Sequence, residues 1–252
     1  MKKFITSNTF LYTAGLVFVF VLWLFLSLSQ GQGNLIFPTP FETFKETGIL
    51  LSSSYIYQCL GMSLLRTLEG FGISFLLALV VGSLSGEIPG FQRFFKPLIL
   101  VLKSAPTAAF VFFFLVISGT AMAPVWIVSL LAFPILYEAV VAGFNAVPKQ
   151  LIWAARVDGG HHLKNLVYIK LPLSIPYIVL GVLASFSLSL KTCIMAEIIA
   201  GQTAPGLGGA IRMFRNEDPS NLTPIFAIAL IAIVIVLFFD LLSHLFKKFM
   251  ER

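Results

Sequence analysis

The chain has 252 residues, 58% of them hydrophobic and 11% charged, with a mean hydropathy of +0.95. That charged fraction is roughly half of what a soluble domain carries, which excludes an ordinary soluble enzyme and predicts an all-α integral membrane protein. The net charge of +6 from 17 Lys and Arg against 11 Asp and Glu is therefore read first as a signal of topology.

The first apolar run, 10–28, follows Met1-Lys2-Lys3 and holds no charge. A secretory signal starts the same way but has a shorter apolar core and a small-residue cleavage site. This run ends in Ser29-Gln30-Gly31-Gln32-Gly33, so an uncleaved first helix is expected. Residues 34–60 form a first external stretch. Two prolines in Phe37-Pro38-Thr39-Pro40 exclude a regular helix there, and Phe41 to Glu46 suits a short interfacial one. Further apolar runs lie at 70–84, 97–118, 124–144, 171–190 and 224–246, giving six transmembrane helices at about 20 residues per crossing. A second external stretch, 192–223, contains Pro205-Gly206-Leu207-Gly208-Gly209, whose glycines permit close backbone approach. Neither stretch is a domain of its own: residues 1–252 are one transmembrane domain with a core over about 60–246.

With the amino terminus inside, Lys2, Lys3, Arg93, Lys96, Lys149, Arg156, Lys164, Lys170, Lys247, Lys248 and Arg252 all fall on the cytoplasmic side, 11 of the 17 basic residues. The bias places both termini in the cytoplasm and accounts for the net charge without a nucleic acid partner. Ionisable residues inside the runs each call for a role. Lys103, beside Ser104 and Pro106, is placed either to snorkel to the cytoplasmic interface or to serve a pathway. Glu138 is read as a structural partner of Lys103 or of a backbone donor, with ligand binding as the alternative. Lys191 and Glu197, at the outer end of the fifth run, make either a gate or an interfacial ion pair. Arg212 and Arg215 would share a face and either meet acids on a partner or remain solvated. So few fixed charges argue against tight holding of a highly charged solute.

No phosphate-binding Gly-x-x-x-x-Gly-Lys-Ser/Thr, His-Glu-x-x-His or Gly-x-Ser-x-Gly pattern occurs, so no catalytic residue, metal site or cofactor is expected in this chain. His161-His162 point about 100° apart on a helix and lack a third ligand nearby. Cys59 and Cys193 are read as small buried apolar residues, with a bridge between them as the alternative.

The informative segment is the cytoplasmic loop 146–170, from Trp153-Ala154-Ala155-Arg156-Val157-Asp158-Gly159 to Ile169-Lys170-Leu171-Pro172. Two alanines leave a low surface on which another protein can pack closely, Gly159 allows a sharp reversal, and Pro172 suits the first turn of the fifth span. A plain connection needs only a few residues, so a loop this long with helical content reads as a docking surface.

The spacing Ala-Ala, three residues, Gly, nine residues, Ile-x-Leu-Pro resembles the cytoplasmic "EAA" coupling loop of permease subunits of binding-protein-dependent ABC importers. Ser63 to Phe71, Lys96 to Pro106, and Lys191 to Glu197 followed by Gly206-Leu207-Gly208 resemble the sulfonate, taurine, nitrate and thiamine-precursor subgroup. The resemblance implies a type I importer fold in the inner membrane, with a second permease subunit, usually a second copy, completing the pathway. It implies two cytoplasmic ATPase subunits, holding the ATP and Mg, docked on the loop, and an extracytoplasmic binding protein delivering a small solute such as a sulfonate, nitrate, thiamine precursor or metal chelate. The family's motif glutamate is replaced by Trp153, so docking would rest on packing around Ala154, Ala155 and Gly159. The competing reading, an ion-coupled secondary transporter, calls for internal repeats and a midplane ion site, and neither is found in the sequence.

Overall fold

The computed structural model describes residues 8–29, 37–157, 165–201 and 205–250. Nine α-helices run through them: α1 Asn8–Leu28, α2 Pro40–Leu51, α3 Ser54–Glu87, α4 Pro89–Ser104, α5 Thr107–Ala146, α6 Lys149–Val157, α7 Leu171–Ala200, α8 Leu207–Glu217 and α9 Thr223–Met250. A π-helical turn, Leu166–Lys170, leads into α7. No strand occurs among the described residues. By length and composition α3, α5, α9 and the stretch Leu166–Ala200 are apolar enough to cross a membrane, and Thr13–Leu28 is a shorter apolar helix.

Prolines set most of the boundaries. A residue before proline is pushed into extended backbone by the pyrrolidine ring, which stops one helix while the ring's fixed φ starts the next. Thr39 (ψ 153), Ile88 (ψ 102), Ala105 (ψ 141) and Val147 (ψ 124) are all such residues, ahead of Pro40, Pro89, Pro106 and Pro148. Thr39 also closes a capping box: its hydroxyl accepts from the Glu42 N–H, and the Glu42 carboxylate accepts from the Thr39 N–H at 2.9 Å. The break at Ala105 corrects the reading of 97–118 as one uninterrupted helix, because that run is divided between α4 and the start of α5.

Within α5 the backbone leaves helical geometry at Gly119 (φ 73, ψ 175), where a side chain would be strained. The chain reverses there. Lys103 bonds Glu138 at 2.8 Å, and Val111 shares a core cluster with Ile127, so residues before Gly119 lie beside residues after it. The arms 107–118 and 120–146 thus belong to separate apolar runs, as the sequence reading has them.

The bundle closes on a seam of small residues. Ser63, Thr67, Gly70, Ser74, Ala78, Gly82 and Ser85 recur every three or four positions along α3 and all are buried. Small side chains let helix backbones approach, which is how helices associate where no water drives them together. α3 lies here against α5, where Tyr137 donates to Ser85 at 2.9 Å. Phe71, Ala78, Ile99, Val128, Leu136, Tyr137 and Phe186 form the core that joins α3, α4, α5 and α7. A second core, with Leu50, Ile56, Leu190, Ile194, Leu207 and Ile228, joins α2, α3, α7, α8 and α9. Ala78→Leu places a branched side chain in the seam at a position with no exposure. It is expected to lower stability by about 1–3 kcal/mol, read as an earlier unfolding midpoint in detergent.

Cys59 and Cys193 are both buried free thiols, so the alternative of a bridge between them is not realised. The two stretches between runs, 34–60 and 192–223, are shorter than the sequence suggests, because α3 begins at Ser54 and α7 runs on to Ala200.

Candidate functional site

At one end of the bundle lies the loop between α5 and α7. The Pro148 carbonyl accepts from the Leu151 N–H at 3.1 Å and opens α6. Ile152 is buried and fixes α6 to the bundle. Trp153 and Val157 point outward, 66% and 87% exposed, Ala154 is exposed and Ala155 is half-buried. Asp158, Gly159 and the side chain of Arg156 lie outside the described residues. The chain returns through the π turn with Tyr168 76% exposed, Ile169 and Leu171 half-buried, and Pro172 exposed in the first turn of α7. The π turn falls where Pro172 has no N–H to offer: in a regular helix its ring would meet the Tyr168 carbonyl four residues back.

Lys170 pairs with Glu87 at the end of α3 at 2.5 Å, with both side chains largely buried. Glu87, Phe144, Lys149, Trp153 and Lys170 line a cleft of about 340 Å³ between the loop and the helix ends. The loop is thereby fastened to α3 as well as to its neighbours in sequence. Glu87 is a site residue the sequence reading missed. An acid at the end of a span, facing a basic loop, was the signal available.

At the opposite end, Glu197 of α7 is fully buried, and it does not pair with Lys191, which is exposed. Six residues along a helix turn a side chain well away from the first position. Its partner is Arg66 of α3, at 2.8 Å. Glu197 also accepts from the Ser63 hydroxyl (2.6 Å) and the Gly208 N–H (3.1 Å). Ser63 accepts in turn from the Leu207 N–H at 2.8 Å, and Arg66 donates to the Pro205 carbonyl at 2.6 Å. The segment 205–208 can come this close because Gly206 and Gly208 have no side chain: a Cβ on Gly206 would overlap the Glu197 carboxylate. One buried ion pair thus joins α3, α7 and the start of α8.

Arg212 of α8 donates to the Ile198 and Ile199 carbonyls at 2.9 and 3.2 Å, satisfying acceptors left free at the end of α7. Arg215, like Arg212, is exposed on α8. After α8, the Asp218 carboxylate accepts from the Ser220 hydroxyl (2.5 Å) and N–H (3.0 Å), and these bonds hold it below the usual carboxylate range.

Between the two ends, Lys103 donates to both carboxylate oxygens of Glu138, at 2.9 and 2.8 Å. This is the structural pairing rather than the snorkelling lysine. Ser104 is exposed and donates to the Val101 carbonyl at 3.2 Å, and Pro106 caps the first arm of α5. The pair is half exposed, 45% and 50%, and lines a cavity of about 630 Å³.

The family described as "Binding-protein-dependent transport system inner membrane component" matches residues 74–252. The chain is 28% identical over 209 residues to a protein named "Probable ABC transporter permease protein" from Brucella melitensis, covering 82% of this chain and 83% of that one. It is 25% identical over 237 residues to the riboflavin transport system permease protein of Chloroflexus aurantiacus, covering 92% and 87%. A crystal structure of an amino acid ABC transporter superposes with a TM-score of 0.64 at 22% identity, over 82% of this chain and 97% of that chain. An all-helical chain with apolar spans, a helical loop between the fourth and fifth runs, and a family match over most of its length has one reading: this protein belongs to the binding-protein-dependent transport system inner membrane components and is an ABC importer permease subunit of the inner membrane.

Proposed function

We propose that the loop 146–170 is the surface through which two cytoplasmic ATPase subunits drive this permease, and that a second permease subunit, a second copy of the chain, completes the pathway. The reading is carried by the exposed apolar side chains of Trp153, Val157 and Tyr168 at one end of the bundle. Large aromatic residues left uncovered beside alanines are what a protein interface uses as anchors. The basic bias supports a cytoplasmic position for that end and for both chain termini.

On this reading Trp153 takes the place of an acidic contact and docks by packing beside Ala154 and Ala155; Arg156, Asp158 and Gly159 belong to the same docking segment, and Ile169, Leu171 and Pro172 join that segment to α7. ATP and Mg belong to the partner subunits. ATP binding draws the two docked loops together, and the Lys170–Glu87 pair passes the movement to α3, so the helices rotate as rigid bodies. Hydrolysis resets them. Lys103, Ser104, Pro106 and Glu138 lie along the pathway, and Glu197, held by Arg66, fixes its outer mouth, near which an extracytoplasmic binding protein delivers the solute. Lys191, exposed on α7, belongs to the same outer region. The cargo is a small solute of the class that includes sulfonates, nitrate, thiamine precursors and metal chelates. A relative's name adds riboflavin to the range.

The test is copurification from membranes followed by an ATPase assay of the isolated complex. An ATPase subunit that stays bound, and whose activity responds to a loaded binding protein, is the expected result. A chain that purifies alone and moves solute down an ion gradient without nucleotide would replace this reading with a secondary transporter.

A further inference from the structure

The Lys103–Glu138 pair sits at a depth where its exposure needs an explanation. At 1.5 Å per residue, Glu138 lies about 12 Å from the end of α5 at Ala146, and Lys103, about 21 Å along α4 from Pro89, shares that depth because it bonds Glu138. Both helix ends lie on the loop side of the bundle. A charged side chain half exposed at that depth cannot face hydrocarbon without a large penalty, so the surface around it faces water or protein.

The charge along this surface is not balanced. Arg93, Lys96 and Lys103 all come from α4 and line one cavity with Glu138, the one carboxylate among its lining residues. Ile99, between Lys96 and Lys103 on the same face of α4, forms part of the apolar floor and is buried. Lys103, four turns into α4, is balanced by Glu138, so the excess positive charge on this surface is that of Arg93 and Lys96 in the first two turns. The remaining wall is mostly apolar, with Leu100 and Val141, and the volume of about 630 Å³ lies in the range of cavities that hold small organic molecules.

We propose that this cavity is an aqueous chamber of the pathway and that it takes an organic anion, whose charged group is drawn to the Arg93, Lys96 and Lys103 face while its apolar body lies along Leu100 and Val141. The proposal rests on the pathway reading above and narrows the cargo to one charge class. A chamber lined with an excess of one sign concentrates ions of the other, and the effect on encounter rates is about 10-fold or more.

The test uses a cysteine as a reporter of both water and charge. Ala142→Cys places a thiol on the exposed part of the same wall, while the native Cys59 and Cys193 have no exposure and serve as the unlabelled background. Vesicles of both orientations carrying the full chain are treated with an anionic sulfonatoethyl methanethiosulfonate and a cationic trimethylammonium-ethyl methanethiosulfonate. Rates are normalised to those of a free thiol in solution. Labelling by both reagents is expected, with the anionic one about 10-fold faster, and with that preference reduced in Arg93→Gln/Lys96→Gln and in Lys103→Met. Equal rates, or a faster cationic reagent, would overturn the anion assignment and leave the pathway standing. Labelling by neither would show the wall to be dry and would remove this surface from the pathway as well.

Discussion

Glu197→Leu is expected to lower stability by about 3–5 kcal/mol, seen as a fall in the unfolding midpoint of the purified protein and a loss of folded material from membranes. The carboxylate has no exposure, and it is the acid to which Arg66, itself 6% exposed, donates. Without it the guanidinium keeps the Pro205 carbonyl as an acceptor but loses its countercharge in a site closed to water. The Ser63 hydroxyl and the Gly208 N–H lose their acceptor in the same step. Two further variants separate charge from shape. Glu197→Gln keeps the volume and some of the hydrogen bonds, so it is expected to fall between wild type and Glu197→Leu. The double variant Glu197→Leu/Arg66→Met removes both charges and is expected to recover the part of the loss that comes from the unpaired guanidinium, while the Ser63 hydroxyl, the Gly208 N–H and the Pro205 carbonyl stay without their partners. A Glu197→Leu protein within about 1 kcal/mol of wild type would mean that the network is not a structural tie between α3, α7 and α8.

Ala155→Asp is expected to abolish uptake while leaving the chain inserted and folded. Ala155 is half-buried on α6, on a surface whose proposed partner packs without room for a longer side chain. An unpaired carboxylate trapped in such a contact costs several kcal/mol, and each 1.4 kcal/mol is tenfold in affinity, so docking weakens about 100-fold or more. Trp153→Ala tests the other half of the contact. Truncating an interfacial tryptophan typically costs about 2 kcal/mol or more, so uptake should fall and the ATPase subunit should dissociate during purification. Wild-type uptake by Ala155→Asp would remove the loop from the coupling route. Loss of the protein from the membrane would instead make the residue structural.

Much of this was legible in the residues. The apolar runs fall within helices, because a span needs about 20 mostly apolar residues and little else in the sequence satisfies that. The pairing of Lys103 with Glu138 was within reach, since two opposite charges in adjacent antiparallel spans have few other partners. Of the two readings of Lys191 and Glu197, the ion pair is not formed: Arg66, the partner of Glu197, lies more than a hundred residues away and meets it only through the packing of α3 on α7. Composition also could not show that Ala105 is extended: the local rule at Pro106 interrupts a run that hydropathy reads as continuous. Glu87 went unremarked for the same kind of reason, since its partner Lys170 comes from the far side of the loop.

The divided third run has a consequence for how the protein is made. Neither α4, with 16 residues, nor the arm 107–118 is long enough by itself to stop reliably in a bilayer, and the run they form together carries Lys103. A lysine near the middle of a segment raises its insertion free energy by about 2.5–3.5 kcal/mol on the biological scale, before any partner has been synthesised. Glu138 leaves the ribosome 35 residues later. On that scale the first arm of the hairpin inserts poorly until the second brings Glu138 to it, and the turn at Gly119 is what lets the two arms meet.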